Sequence, residues 1–459
     1  MSSPKTKTTR DWQSLDSQHY LHPFTDFHEL GQKGSRIITR AEGVYIYDSE
    51  GNKILDGMAG LWCVNLGYGR KDFAEVAARQ MMELTYYNSF FQCAHPPVIE
   101  LSALLSELSP GNFQHTFFTG SGSEANDTQV RLVRRYWDLM GQPERMIIIA
   151  RNNAYHGSTV AGASLGGMSG MHEQLMMPVP GIVHIEQPYH FGLGGDMSPA
   201  EFGLKQAMLL EEKINEIGVD KVAAFFAEPV QGAGGVIIPP DTYWPEIQRI
   251  CDEYGILLVA DEVITAFGRL GQWFGSTHFG IRPDLISFAK GVTSGYLPLG
   301  GALVGKRVAD VVTQQGGEFA HGFTYSGHPV TCAVALAVLK AMQTEGIVER
   351  VRDDLAPYFQ RRWAELADHP IIGEARSVGM MGALEIAQDK GSRTRFDKDL
   401  TAGTRARDIC VRNGLVMRAV GDTMIVSPPL IAEHAHIDEL LEKAWRCLDL
   451  TAKSLAAAR

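Results

Sequence analysis

Cysteine is scarce in this chain. Six occur among 459 residues (Cys63, Cys93, Cys251, Cys332, Cys410 and Cys447), and none forms a C-x-x-C pair. The pattern argues against a disulfide framework and predicts buried free thiols in a reducing, cytoplasmic compartment. A basic excess is missing too: 42 Lys and Arg stand against 53 Asp and Glu, a formal charge of −11. That argues against nucleic acid as the main partner and against an anionic membrane surface. No window approaches the ~18 consecutive apolar residues of a membrane span. The start, with Lys5, Lys7 and Arg10 ahead of Asp11, lacks the apolar core of a signal peptide and reads as a short polar tail. Repeats, low-complexity stretches and Pro-rich linkers are absent. What remains is an ordinary globular composition, 45% hydrophobic and 21% charged, with length for roughly two to three domains.

The pattern of apolar residues divides the chain. Residues 1–30 read as a loose arm with a helical piece near 11–19, and 36–56 as a small β-meander with a turn at Ser49-Glu50-Gly51-Asn52. Helical spacing follows at 73–82 and 98–108. Continuous apolar runs then alternate with helices, at 116–119, 146–150, 181–185, 222–227, 256–260, 285–289 and 302–304. Such runs are strands buried on both faces, so the expected fold is α/β, a mostly parallel doubly wound sheet. Beyond 330 come a long helix (330–344), a second helix (351–366), a strand over 376–386 carrying Gly379 and Gly382, and a last helix (436–453), a smaller α+β domain. The expected division is 1–65 as arm and meander packing with the C-terminal domain, 66–329 as the large domain, and 330–459 as the small one.

Two ionisable residues end apolar strands. Lys290 closes Leu285-Ile286-Ser287-Phe288-Ala289 and precedes Gly291. A desolvated ammonium has a lowered pKa, so its amine becomes a nucleophile. Asp261 closes Ile256-Leu257-Leu258-Val259-Ala260, followed by Glu262 and Val263. One crossover apart, the pair suits a cofactor that needs a Schiff base and a charged ring nitrogen. Taken singly, Asp261 also reads as a turn cap and Lys290 as a surface lysine.

Other segments carry a ligand reading and a plain one. Thr119-Gly120-Ser121-Gly122-Ser123-Glu124 opens a helix and makes an anion cradle for phosphate, or a plain capping box of Ser121 and Glu124. Tyr155-His156-Gly157 follows a strand where open α/β sheets bind ligands, or is an aromatic packed on a loop. The bend from Gly322 to Pro329 offers Thr324 and Ser326 hydroxyls to a phosphate, or is a domain hinge. Arg418 suits bidentate carboxylate binding, or pairs with a surface acid. Phe24, Trp62 and Phe90 sit in loops, as pocket walls or as core. His172-Glu173 starts a zinc-helix pattern, but position 176 is Met, so no metal site is expected.

Together the residues resemble a family. Ser121-Gly122-Ser123-Glu124-Ala125, Tyr155-His156-Gly157, Glu228-Pro229-Val230-Gln231-Gly232, Asp261-Glu262-Val263, Lys290-Gly291 and Thr324-Tyr325-Ser326-Gly327-His328-Pro329 occur in the order of the class III aminotransferases. These are fold-type-I enzymes that use pyridoxal 5′-phosphate (PLP). Gly57-Met58-Ala59-Gly60-Leu61-Trp62-Cys63, His22-Pro23-Phe24-Thr25 and Tyr296-Leu297-Pro298 are similar to the amine:pyruvate, or ω-, transaminases.

The resemblance implies roles. Lys290 would hold the cofactor and later move the substrate proton. Asp261 would bond the pyridine nitrogen and keep it protonated. Ser121 and Gly122 would hold the phosphate, joined by Thr324 of a partner subunit. Tyr155 would stack on the ring with Val263 on its opposite face, and His156 and Glu228 would complete the cofactor site. Phe24, Trp62 and Phe90 would line the amine pocket with Tyr155, and Arg418 would bind the keto-acid carboxylate and swing aside for an apolar amine. Ornithine- and γ-aminobutyrate-type relatives usually place Gln after Asp-Glu-Val; here Ile264 makes the site less polar and points towards amines. The expected activity is transfer of an amino group from a primary amine or ω-amino acid to pyruvate, giving alanine by a ping-pong mechanism. The expected assembly is a homodimer or a pair of such dimers. The alternatives are an aminomutase or racemase of the same fold, or a ligand-binding protein without catalysis.

Overall fold

The computed structural model describes residues 7–175 and 177–458. Residues 1–6 of the polar tail, and position 176 of the dismissed zinc motif, lie outside the described residues. Seven strands form the central sheet in the order Phe113–Thr119, Gly300–Gly305, Leu285–Phe288, Leu257–Asp261, Val222–Ala227, Ile147–Arg151, Ile182–Ile185. All pairs among the last five are parallel, and Gly300–Gly305 runs antiparallel to both its neighbours. Val222–Ala227 and Leu257–Asp261 are buried at every position. Two apolar clusters, one on each face, account for that burial. One holds Val133, Tyr136 and Trp137 of the helix Gly122–Leu139. The other holds Leu210 and Ile214 of Pro199–Ile217 with Ile247 and Ile250 of Tyr243–Tyr254. Continuous apolar strands have no solvent face to offer, so helices must cover both sides.

A consequence of this topology places the site. The strands ending at Thr119, Arg151, Ala227, Asp261 and Phe288 all finish on one edge, and the antiparallel Gly300–Gly305 begins there. That edge is where open α/β sheets bind ligands.

The remaining elements frame it. The meander forms as Ile38–Glu42, Tyr45–Asp48 and Lys53–Asp56, and its last strand pairs in parallel with Leu415–Val416. A second antiparallel sheet runs Ile372–Val378, Met381–Ile386, Thr423–Val426, Arg418–Val420. Here the single strand expected over 376–386 is wrong. Gly379, at φ +53, turns the chain so that Val378 pairs with Met381, and two strands result. A Cβ at Gly379 would lie 2.5 Å from the Arg269 carbonyl oxygen, so this turn takes only glycine. The expected single helix over 351–366 contains a π turn, Val351–Leu355, before Ala356–Ala364. Pro357 has no N–H to give to the preceding turn, and the ladder widens around it. Among the described residues no single helix is long and apolar enough to cross a membrane.

Candidate active site

Lys290 follows its strand through Ala289 and takes a left-handed conformation, φ +49, at the start of the 3-10 turn Lys290–Thr293. That conformation is uncommon for a side chain with a Cβ. The turn is held from outside. A Cβ at Gly291 would meet Asn65 Nδ2 at 2.5 Å. Asn65 donates to the Phe267 carbonyl at 2.8 Å and accepts from buried Arg269 at 2.8 Å, and Ser294 Oγ accepts from Leu66 N–H at 2.9 Å. Burial pushes the Lys290 amine pKa below the ordinary lysine value. Cys63, Asp261 and Glu228 oppose the shift, and Arg418 adds to it.

Asp261 ends the neighbouring strand, buried. Its Oδ2 accepts from Asn126 Nδ2 at 2.8 Å and meets His156 Nδ1 at 2.7 Å; its Oδ1 accepts from Val263 N–H at 3.0 Å. Asn126 also donates to the His156 carbonyl at 2.7 Å, so one amide ties the 155–157 loop to the carboxylate. His156 Nε2 and Asn126 Oδ1 are buried with no hydrogen-bond partner among the described residues. Glu228, next on the same edge, accepts from Tyr155 N–H at 3.1 Å and Gly232 N–H at 2.9 Å. Burial pushes its carboxyl pKa up, opposed by His156 and reinforced by Asp261.

Ser121 caps the 18-residue helix Gly122–Leu139, accepting from Glu124 N–H at 3.2 Å. The capping box is only half formed. Glu124 turns its carboxylate to Gly120 N–H at 2.6 Å, so the helix start keeps its outward N–H groups. A Cβ at Gly122 would come within 2.9 Å of Val263 Cγ2. The 155–158 loop closes on the same helix turn, Ser158 N–H donating to Ser123 Oγ at 3.1 Å.

These groups surround one cavity of about 440 Å³, whose walls include Ser121, Gly122, Tyr155, His156, Glu228, Asp261, Val263 and Lys290. The structure therefore brings together eight of the expected residues. It does not gather the others. Trp62 is buried in a cluster with Met58, Val230 and Ile264 rather than in the cavity wall, at φ +67 and with its indole N–H unpaired among the described residues. Phe24 is 76% exposed and meets only the edge of Tyr155, ring centroids 6.2 Å apart. Arg418 starts the strand Arg418–Val420 and forms no ion pair among the described residues; burial pushes its guanidinium pKa down. Phe90 lies in a separate hollow with Phe117, His321 and Gly322, and Thr324 sits at that same face, its carbonyl accepting from Tyr86. Neither lines the Lys290 cavity of its own chain.

Sequence reasoning missed several wall residues. Asn126 stands four residues after Gly122, hence on the same helix face, a spacing that was legible. Cys63 lines the cavity; all six thiols are free, but Cys63 and Cys93 are half-buried, not buried. Thr293, Leu297, Pro298 and Leu299 join from the loop after Lys290. Their proximity depends on the turn at Ser294, φ +50, and Gly295, φ +74.

An amine and a carboxylate at the ends of adjacent strands, with a helix start on the third side, fit one cofactor class: an aldehyde-bearing aromatic cation with a phosphate. The comparisons agree. The family described as "Aminotransferase class-III" matches residues 30–448. The chain belongs to the class-III aminotransferases. It is a PLP-dependent enzyme of fold type I. A putrescine–pyruvate aminotransferase of Pseudomonas aeruginosa is 60% identical, over 98% of each chain. An (S)-enantioselective ω-transaminase of Thermomicrobium roseum superposes with a TM-score of 0.94 at 41% identity, covering 97% of this chain and 100% of that one. An ω-transaminase of Pseudomonas jessenii in complex with PMP superposes with a TM-score of 0.94 at 38% identity, over 97% and 99%. Among the described residues of this aminotransferase no group of three or more His, Cys, Asp or Glu could hold a metal ion.

Proposed function

We propose that this aminotransferase moves the amino group of a primary amine or ω-amino acid to pyruvate. The observation that carries the reading is the facing pair, Lys290 and Asp261, in a cavity whose other flank is the apolar Ile264. The 60% identity to a putrescine–pyruvate aminotransferase supports the same donor class and acceptor. PLP, when bound, would supply an electron sink beside the substrate carbon that loses its proton. The chain's part is positional and acid–base. Lys290, its pKa lowered by burial, takes the proton from the substrate carbon and returns it on the other side of the reaction. Asp261, fixed by Asn126, His156 and the Val263 N–H, would hold positive charge on the ring nitrogen. Ser121, Gly122 and the helix start would hold the phosphate, Tyr155 and Val263 would flank the ring, and Arg418, outside the cavity wall here, would turn in to bind the keto-acid carboxylate.

We infer a homodimer as the working unit. Phe90 and Thr324 lie outside their own cavity beside exposed apolar side chains: Tyr87 55%, Phe91 87% and Tyr325 65%. A second copy seated there would cover that face and receive Thr324 at its phosphate. The division at 65 and 329, and a cytoplasmic location consistent with free thiols, belong to the same reading. Purified enzyme given pyruvate and a panel of putrescine, β-alanine, taurine and 1-phenylethylamine is expected to form alanine with at least one donor. Alanine from none would overturn the substrate reading.

A further inference from the structure

His321 has a hydrogen-bond arrangement that its place in the chain does not require. Its ring stacks on Phe117, centroids 5.2 Å apart and planes 11° from parallel, with Phe319 and Phe323 edge-on at 5.4 and 5.1 Å. Arg131 Nη1 lies 2.9 Å from Nδ1, and Thr128 Oγ1 lies 2.8 Å from Nε2. A guanidinium only donates, so Nδ1 accepts and the ring proton sits on Nε2. That N–H donates to Thr128, whose own hydroxyl proton goes to the Glu124 carbonyl at 2.8 Å. Arg131 Nη2 adds a bond to the Ala320 carbonyl at 3.0 Å. Burial and Arg131 push the His321 pKa down to about 4, so the neutral ring this pattern needs is present at neutral pH.

Thr128 and Arg131 stand on one face of Gly122–Leu139, the helix whose first turn is the Ser121–Gly122 cradle. The clamp thus fastens the 319–327 segment to the cradle helix. The segment also fixes the neighbouring loop. A Cβ at Gly322 would meet the Phe90 ring at 2.7 Å, Tyr86 donates to the Thr324 carbonyl at 2.7 Å, and Ser89 Oγ donates to the Ser326 carbonyl at 2.9 Å.

We infer that His321 is a positioning residue for cofactor binding in the second copy: through Thr128 and Arg131 it holds Thr324 at the angle the other subunit's phosphate requires. The inference rests on the dimer reading above. It goes beyond that reading by assigning the cofactor affinity of one site to a histidine of the other chain that contacts neither cofactor nor substrate.

The test is a double-mutant cycle on cofactor-free dimer, its assembly checked by sedimentation, titrated with PLP and read by absorbance. Thr324→Ala and His321→Ala are each expected to weaken PLP binding by about tenfold, the scale of one positioned hydrogen bond. The double variant is expected to match Thr324→Ala alone, because His321 acts only through Thr324. Thr128→Val removes the clamp with the ring in place and is expected to copy His321→Ala, which keeps the test open should His321→Ala not assemble. Losses that add in the double variant, or undiminished affinity in Thr128→Val and His321→Ala beside a weakened Thr324→Ala, would overturn the positioning role and leave the dimer reading standing. Undiminished affinity in Thr324→Ala would overturn both.

Discussion

Lys290 stands in a left-handed turn at the mouth of the sheet, and the surroundings that lower its pKa also give two measurable consequences. The first is catalytic. Lys290→Ala removes the amine that captures the cofactor and moves the proton, so it is expected to abolish the visible band of bound cofactor and to cut turnover by at least about a thousandfold. Absorbance spectra and alanine formation check both. The second is thermodynamic. Below the ordinary lysine value of about 10.4 the unfolded chain binds this proton more readily than the folded one does. The stability of cofactor-free protein should therefore rise with pH, from the depressed pKa of Lys290 up to that ordinary value. Urea unfolding of cofactor-free wild type and Lys290→Met across that window should show wild type gaining on the variant as pH rises; a constant difference would contradict the lowered pKa. Asp261→Asn keeps the shape and removes the charge. It is expected to retain cofactor but lose roughly 10²–10⁴-fold in turnover, read by steady-state kinetics at saturating PLP. Both residues were legible in the sequence as a pair, because each alone has a plain reading but two charges closing apolar runs one crossover apart suit one cofactor. Asn126 was not assigned a role, because its partner Asp261 lies 135 residues away and only the fold brings them together.

At the scale of elements, glycines set what the backbone can approach. Gly122→Ala would press a methyl into Val263 at the cradle, so cofactor affinity is expected to fall by about tenfold with the fold intact. Gly379→Ala asks a left-handed residue to carry a Cβ against the Arg269 carbonyl, and is expected to cost about 1–3 kcal/mol in urea unfolding. The same turn shows where periodicity fails. From Arg376 to Ile386 the side chains read as one strand, because a tight glycine turn leaves no polar gap between two strands of one sheet. The central strands were legible within a few residues, since two-sided burial writes itself as unbroken apolar runs, while the helices between them were expected without bounds. The 57–63 loop was legible as aromatic and glycine-rich, but its shape depends on positive φ at Ala59, Gly60 and Trp62, which turns Trp62 inward and leaves Cys63 in the cavity wall.

For the whole molecule, the central question is how a single chain with five of its thirteen expected site residues outside the cavity completes a site. Lys290, Asp261 and the Ser121 cradle converge because five strand ends share one sheet edge. Phe90 and Thr324 lie away from that cavity, beside exposed Phe91 and Tyr325, and the proposed second copy would bring them to a site. Pairing of copies is expected to appear as a dimer mass in sedimentation at micromolar concentration. A fully active monomer would contradict it. The most direct test of the account is transfer of the amino nitrogen itself. Enzyme, ¹⁵N-putrescine and unlabelled pyruvate are mixed, and the alanine is analysed by mass spectrometry, with 1-phenylethylamine and β-alanine run alongside as labelled donors. The account predicts ¹⁵N-alanine with at least one of these amines and none with Lys290→Ala. Alanine formed without the label, or no alanine with any labelled donor, would contradict it.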